Sequence, residues 1–167
     1  YDVSKITIDA HKQDIYANLT GIGERTLNYG VNIFEVYNTS EFGTRSESIY
    51  IEVIRNYPND DSSLDDLFVS GYTFDQAFNK NITNYTIKLT PQDQTTLIDI
   101  NAIIATSPTN QKVLSGKVGQ QVLPNQNNFN VSFQIIVKAE DNTQTIYTIN
   151  VIKENNASSN AEVNYIT

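Results

Sequence analysis

The feature that most constrains this chain is a run in which every second side chain is apolar. The apolar positions of the run are Phe129, Val131, Phe133, Ile135 and Val137. Successive side chains of a β-strand point to opposite faces, so the run predicts a long strand with one face in a core. Three further segments alternate in the same way, at residues 85–89, 98–104 and 147–151. Together they predict four strands facing one core.

Shorter strands are predicted at residues 64–69 and 112–118, and turn-forming residues separate the strands at 79–84, 107–110, 125–128 and 140–143. No segment keeps a helical periodicity over three turns. Closely spaced strands without intervening helices favour antiparallel sheets packed face to face. The expected fold class is therefore all-β, an immunoglobulin-like antiparallel β-sandwich.

The N-terminal third of the chain resembles the end of the C-terminal part. Val53-Ile54-Arg55 matches Val151-Ile152-Lys153, and each triplet lies in a segment that is predicted to be a closing strand. A long alternating segment and a polar hairpin precede each, and a Ser-Ser pair follows each, Ser62-Ser63 and Ser158-Ser159. The period is a little under about one hundred residues, the size of an immunoglobulin-like domain. The pattern predicts tandem copies.

Counted in this period, the chain divides into three parts. Residues 1–57 are expected to hold only the later strands of one copy, at 3–9, 14–19, 31–37 and 48–55. Residues 59–154 are expected to form a complete copy, and residues 156–167 a linker with the opening strand of a further copy. A copy without its first strands leaves an unpaired edge. We therefore expect a longer array, or another element that fills the gap.

The predicted complete copy carries a family resemblance. Residues 62–71, Phe74, Phe78 and residues 81–87 resemble the opening of the bacterial cadherin-like β-sandwich domain. Residues 135–151 are similar to the closing strands of that family, which flank an acidic hairpin. The likeness extends to residues 30–36, whereas residues 97–123 are not diagnostic.

This resemblance implies a domain that occurs in tandem on secreted and cell-surface bacterial proteins, as a spacer or adhesive accessory. It implies an extracellular location, at the cell surface or secreted, and the family has no shared catalytic residues to carry over. The expected partners are neighbouring β-sandwich domains of the same array, and a surface protein or glycan. We also consider head-to-tail self-association, in which residues 161–167 of one molecule pair with the incomplete copy of another.

Composition argues against other functions. With 11 Lys and Arg against 19 Asp and Glu, the chain has a net charge of -8, which opposes binding to nucleic acid. No apolar run approaches the roughly 18 to 20 residues of a membrane helix, so no membrane insertion is expected. Cysteine is absent, which excludes disulfides and thiolate metal sites. The single histidine, His11, lies in a polar turn, where a solvated residue is favoured over a catalytic base. We therefore predict that the protein is not an enzyme.

One acidic group is a candidate ion site. Asp60, Asp61, Asp65 and Asp66 lie at the predicted junction between copies. Ca²⁺ takes six to eight oxygen ligands, so carboxylates at a domain boundary are able to stiffen an array. The alternative is a solvated linker whose charges keep an edge soluble. A second acidic spot, residues 140–142, is better explained as a hairpin turn. No other cofactor is expected.

Two function classes remain from the sequence. The first is a structural or adhesive spacer, which the repeat supports. The second is an accessory module of a larger secreted enzyme that binds carbohydrate or another ligand, which requires exposed aromatic side chains such as Tyr57 or Tyr72. A Ca²⁺-stiffened adhesin is a third reading of the same acidic group.

Overall fold

The structure is a computed structural model that describes residues 3–108 and 110–155. These residues form twelve β-strands and no helix. The strands are β1 Lys5–Ile8, β2 Asn18–Thr20, β3 Gly23–Thr26, β4 Gly30–Thr39, β5 Ile49–Arg55, β6 Asp66–Val69, β7 Asn84–Leu89, β8 Leu97–Ile103, β9 Val113–Gly116, β10 Gly119–Val122, β11 Phe129–Lys138 and β12 Gln144–Lys153. The protein is all-β, as its alternating pattern predicts.

The chain forms two compact units, Tyr1–Pro58 and Asn59–Thr167, here called the N-terminal and the C-terminal unit. The N-terminal unit contains β1 to β5 and the C-terminal unit contains β6 to β12. The predicted opening strand of a further copy, at residues 156–167, lies outside the described residues.

The C-terminal unit has the layout of a β-sandwich. One sheet has the strand order β10-β8-β6, and the other has the order β7-β12-β11-β9. Inward-facing side chains of both sheets form one apolar core. It includes the predicted positions Phe129, Phe133, Ile135 and Val137, while Val131 is partly buried against it. The four strands predicted from alternation are thus confirmed, and they supply most of this core.

β12 is the central strand that ties the C-terminal unit together. It pairs with β11 in antiparallel register over ten residues, from Lys153 opposite Phe129 to Gln144 opposite Lys138. Its other edge pairs with β7 in parallel register over six residues. Side chains of Tyr147, Ile149 and Val151 are fully buried as a result.

The N-terminal unit is smaller and holds less core. Its sheets have the orders β1-β3 and β2-β4-β5. Four buried apolar residues lie in this unit, Ile8, Ala17, Leu27 and Val36, and the other seventeen of the described chain lie in the C-terminal unit. The predicted strand at residues 14–19 is shorter than expected, because Asp14 Oδ1 accepts a hydrogen bond from Tyr16 N, and β2 begins only at Asn18.

Strand pairing in the two units follows the same registers. Ile8 lies opposite Gly23 in the N-terminal unit, and Ile100 lies opposite Gly119 in the C-terminal unit. In each unit, a buried leucine follows the second strand of this pair. Its backbone amide donates a hydrogen bond to the carbonyl oxygen of the residue that precedes the first strand. Leu27 N donates to Ser4 O at 2.8 Å, and Leu123 N donates to Thr96 O at 2.8 Å.

The long hairpins of the two units also correspond. Phe34 lies opposite Ile51 in the β4–β5 hairpin, and Phe133 lies opposite Ile149 in the β11–β12 hairpin. The neighbouring pairs follow in step: Val36 with Ile49 and Asn32 with Val53 in the first hairpin, Ile135 with Tyr147 and Val131 with Val151 in the second.

Gly21 follows β2 and Gly116 ends β9. Each lies against a backbone carbonyl at the corresponding position of the long neighbouring strand, β4 or β11. A Cβ on Gly21 would overlap the backbone oxygen of Glu35, and a Cβ on Gly116 would overlap that of Gln134. Both glycines have positive φ, 92° and 96°. Glu35 and Gln134 occupy the same position in their hairpins. A side chain is excluded at both sites by backbone and by conformation.

The described part of the N-terminal unit has no strand that corresponds to β6 or β7. In the C-terminal unit, β6 pairs with the edge of β8 and β7 pairs with the edge of β12. The effect on burial is direct: Ile49 is 66% exposed, whereas Tyr147 at the same position of the other hairpin is fully buried. The core of the N-terminal unit is therefore open where these strands would pack.

Candidate functional site

The predicted acidic group lies at the start of the C-terminal unit, where the structure places a buried lysine between two of its carboxylates. Lys112 Nζ lies 2.8 Å from Asp61 Oδ2 and 3.8 Å from Asp65 Oδ2. It also donates a hydrogen bond of 2.9 Å to the backbone oxygen of Ser63. The Lys112 side chain is only 1% exposed, so its charge depends on these oxygens in place of water.

Asp61 accepts hydrogen bonds from several donors in addition to Lys112. Ser63 donates to Oδ1 through its backbone amide at 3.0 Å and its hydroxyl at 2.6 Å. Asn110 Nδ2 lies 3.4 Å from Oδ2. The hydrogen bonds from Lys112 and then from Ser63 hold the pKa of Asp61 well below its usual range, because all of them favour the ionised carboxylate.

Further hydrogen bonds fix the opening segment, residues 59–66, to the turn between β11 and β12. Asn59 N donates to Glu140 Oε2 at 3.0 Å, and Asp141 N donates to Asn59 O at 3.2 Å. The hydroxyls of Ser62 and Thr145 lie 2.7 Å apart. The opening segment and the closing hairpin are therefore joined before β6 begins.

A buried tyrosine completes this connection. Leu64 N donates to the hydroxyl of Tyr147 at 3.1 Å, and the hydroxyl donates to Lys80 O at 2.7 Å. One side chain of β12 thus binds the segments before β6 and before β7. Buried polar groups need partners, and these backbone groups find theirs in Tyr147.

The remaining two acidic residues lie apart from this ion pair. Asp60 is exposed, and Asp66 Oδ1 accepts a hydrogen bond from the next backbone amide, Leu67 N. Asp65 Oδ2 also accepts from Ala105 N. Across residues 3–108 and 110–155, no three His, Cys, Asp or Glu side chains are grouped as metal ligands. The Ca²⁺ site stays a prediction, and a lysine ammonium already neutralises Asp61.

Sequence reasoning missed Lys112. A signal was available, since Lys112 directly precedes β9 and stands two residues before the partly buried Leu114, so that alternation places both side chains on one face. A lysine at an inward-facing position needs a carboxylate partner, and the nearby aspartates supply one. The second acidic spot is a hairpin turn as predicted, with Asn142 at a positive φ of 75°.

The other candidate side chains differ in exposure. His11 is exposed in its turn. Tyr72 packs against the core of the C-terminal unit, so it is a structural residue. Tyr57 is 73% exposed and stacks on Tyr29, with ring centroids 5.3 Å apart, and the Arg55 guanidinium lies 4.0 Å from the Tyr29 ring centroid. This pair is an exposed aromatic surface of the N-terminal unit.

No family model matches the chain, and no curated protein is significantly similar to it. The described segments include no helix with the length and apolarity needed to cross a membrane. The function of the chain is therefore inferred from the pairing of its strands and from the side chains above.

Proposed function

We propose that the two units are tandem copies of one immunoglobulin-like, cadherin-like sandwich, and that the chain is a non-catalytic structural spacer of an extracellular bacterial protein. The observation that carries this proposal is the common register of strand pairing in the two units. Five strands, one buried leucine and two glycines of each unit take equivalent positions in the other. Repetition of one domain lengthens a protein without adding new chemistry, which suits a spacer.

The pairing of β7 with β12 favours a role under tension. β7 lies early in the C-terminal unit and β12 lies at its end, and the two are parallel. Force applied before β7 and after β12 pulls these strands along their length in opposite directions. All the hydrogen bonds of the ladder then bear the load together, whereas a hairpin pulled at its open end breaks one bond after another.

Pulling experiments test this role. The chain has no cysteine, so cysteine handles at exposed Asn81 and Glu154 load the β7–β12 ladder lengthwise. Handles at exposed Asn128 and Glu154 form the control, because Phe129 lies opposite Lys153 and the hairpin is peeled from its end. We expect a clearly higher unfolding force in the first geometry. Equal forces in both geometries contradict a load-bearing function.

The absence of catalysis and the extracellular location are part of the same proposal. They are supported by the cadherin-like resemblance of residues 62–71 and 135–151 and by the use of the acidic group for an internal ion pair. Antibodies raised against the purified chain should label intact cells of the source organism or its culture medium. Labelling only after lysis contradicts the proposed location.

A second candidate function is supported by one observation, the exposed stack of Tyr29 and Tyr57. Aromatic faces bind sugar rings, so an accessory carbohydrate-binding role predicts retention of specific glycans on an array. The double variant Tyr29→Ala and Tyr57→Ala should lose that retention. The control is Tyr16→Ala, which removes another exposed tyrosine of the same unit. An array without bound glycans rules out this candidate.

A further inference from the structure

The opening segment runs alongside the start of β12 and in the same direction. Asp141 N, in the turn before β12, donates to Asn59 O at 3.2 Å. Farther along both segments, Leu64 N donates to the Tyr147 hydroxyl at 3.1 Å. Residue numbers rise together on the two sides, so the opening segment is parallel to β12. β7 is also parallel to β12 and pairs with it from Thr148 onward.

Between its two ends, the opening segment is fastened by side chains and not by a strand ladder. Residues 59–65 belong to no strand. Lys112 Nζ contacts Asp61 Oδ2 at 2.8 Å and Ser63 O at 2.9 Å. A strand ladder that slips by two residues regains hydrogen bonds, because its donors and acceptors repeat along the chain. The contacts of Lys112 do not repeat, so a slip leaves a buried ammonium without these partners, which costs much free energy.

Tension along the peptide chain reaches the opening segment before it reaches the β7–β12 ladder. A force that enters the C-terminal unit through the preceding residues acts first on Asn59, and it leaves the unit beyond Lys153. The ladder begins only at Asn84. Because the opening segment is parallel to β12, the force pulls the two along their length in opposite directions. Their contacts therefore bear the force together and do not break one after another.

We propose that the opening segment is a mechanical latch, which sets the force at which the C-terminal unit begins to yield. Its central contact is the buried Lys112 ammonium on Asp61 and on the Ser63 carbonyl. The Tyr147 hydroxyl on Leu64 N is a second contact. The β7–β12 ladder is loaded once these contacts break. The inference rests on the proposed spacer function under tension, and it names the side chains that regulate when the spacer yields.

Pulling the full chain in two geometries tests the latch. Cysteine handles at exposed Asp60 and Glu154 load the opening segment, whereas the handles at Asn81 and Glu154 bypass it and load the ladder. In the first geometry, Lys112→Met should raise the rupture rate at constant force by at least about tenfold, because a hydrogen-bonded charge pair is lost. In the second geometry the rate should change by less than about twofold, because an interaction that the transition state retains does not affect the rate of unfolding.

The matched control for this experiment is Lys88→Met, which should leave both rates unchanged because Lys88 is exposed on β7. Circular dichroism checks that each variant is folded, and Asp61→Asn replaces Lys112→Met if the latter is not. An equal change of rate in both geometries, or no change with the Asp60 handle, overturns the latch. The proposed function is tested separately, by the lengthwise and the peeling geometries described above, so either idea fails without the other.

Discussion

The buried ion pair of Lys112 gives the most quantitative prediction. The substitution Lys112→Met keeps the length of the side chain but removes its hydrogen bonds to Asp61 and to the carbonyl of Ser63. Loss of one partner of a fully buried pair costs about 3–5 kcal/mol. Asp61 is 40% exposed, so water replaces part of what it loses. We therefore expect the free energy of unfolding to fall by about 2–3 kcal/mol, the upper part of the range of about 1.5–3 kcal/mol for hydrogen bonds to charged groups.

Urea denaturation followed by circular dichroism measures this loss. With a slope of about 1–3 kcal/mol per molar urea, the midpoint of the C-terminal unit should fall by roughly 0.7–3 M. Lys88→Met is the matched control, because Lys88 is exposed on β7, and its effect should stay within about 0.5 kcal/mol. If the two variants unfold at the same urea concentration, Lys112 does not hold the opening segment in place.

The same ion pair predicts a dependence on pH. The pKa of Asp61 is lower in the folded state than in the unfolded state. Its contribution to the free energy of unfolding is therefore fully present above the unfolded-state pKa of about 3.9, and it is lost as the pH falls through the lower folded-state pKa. Asp61→Asn should therefore destabilise the protein at neutral pH and matter progressively less in strong acid. The double variant with Lys112→Met should cost less than the sum of the two single variants. A pH-independent difference between Asp61→Asn and the wild type contradicts this reasoning.

Three further outcomes are expected. Gly116→Ala should destabilise the C-terminal unit by more than about 3 kcal/mol, because a Cβ meets the Gln134 carbonyl. Gly119→Ala has open space around it and should cost only about 1–2 kcal/mol, the strain of a side chain at positive φ. Equal losses of stability in urea denaturation would refute the close contact at Gly116. Tyr147→Phe should cost about 1–3 kcal/mol by leaving Leu64 N and Lys80 O without their partner; thermal unfolding should show a lower Tm, and an unchanged Tm would contradict this role. If Ca²⁺ binds the acidic group, calcium chloride should raise the Tm of the wild type and not that of Asp61→Asn, and calorimetry without any shift ends that hypothesis.

The sequence predicts strands best where the buried face is apolar. β11 and β12 alternate over their whole length, so their existence and their inward residues follow from the pattern. β3 and β10 were not predicted. In β10 the one apolar residue, Val122, points to solvent, while glycine and glutamine face inward. Such strands are held by backbone pairing with β1 and β8, which leaves no trace in the pattern of side chains.

For the acidic group too, the residues can be identified from the sequence but their contacts cannot. The sequence places four carboxylates within seven residues but does not reveal which of them share a neighbour. Lys112 is about fifty residues away along the chain, and only the pairing of β9 with β11 and the course of the opening segment bring it to Asp61. A contact between distant segments depends on the whole topology, so local reasoning found the carboxylates and missed their cation.

Burial of Lys112 has a consequence for protein chemistry. Acylating reagents react with an accessible, deprotonated lysine amine, and trypsin needs an accessible lysine side chain in its binding pocket. The Lys112 ammonium is enclosed by Asp61, Asp65 and the Ser63 carbonyl. Lys153 is also buried, and its ammonium donates a hydrogen bond to the Asp93 carbonyl. Modification of these two lysines therefore proceeds only through local opening of the chain. Their slow labelling, beside rapid labelling of exposed lysines such as Lys88, reports how often the sandwich opens.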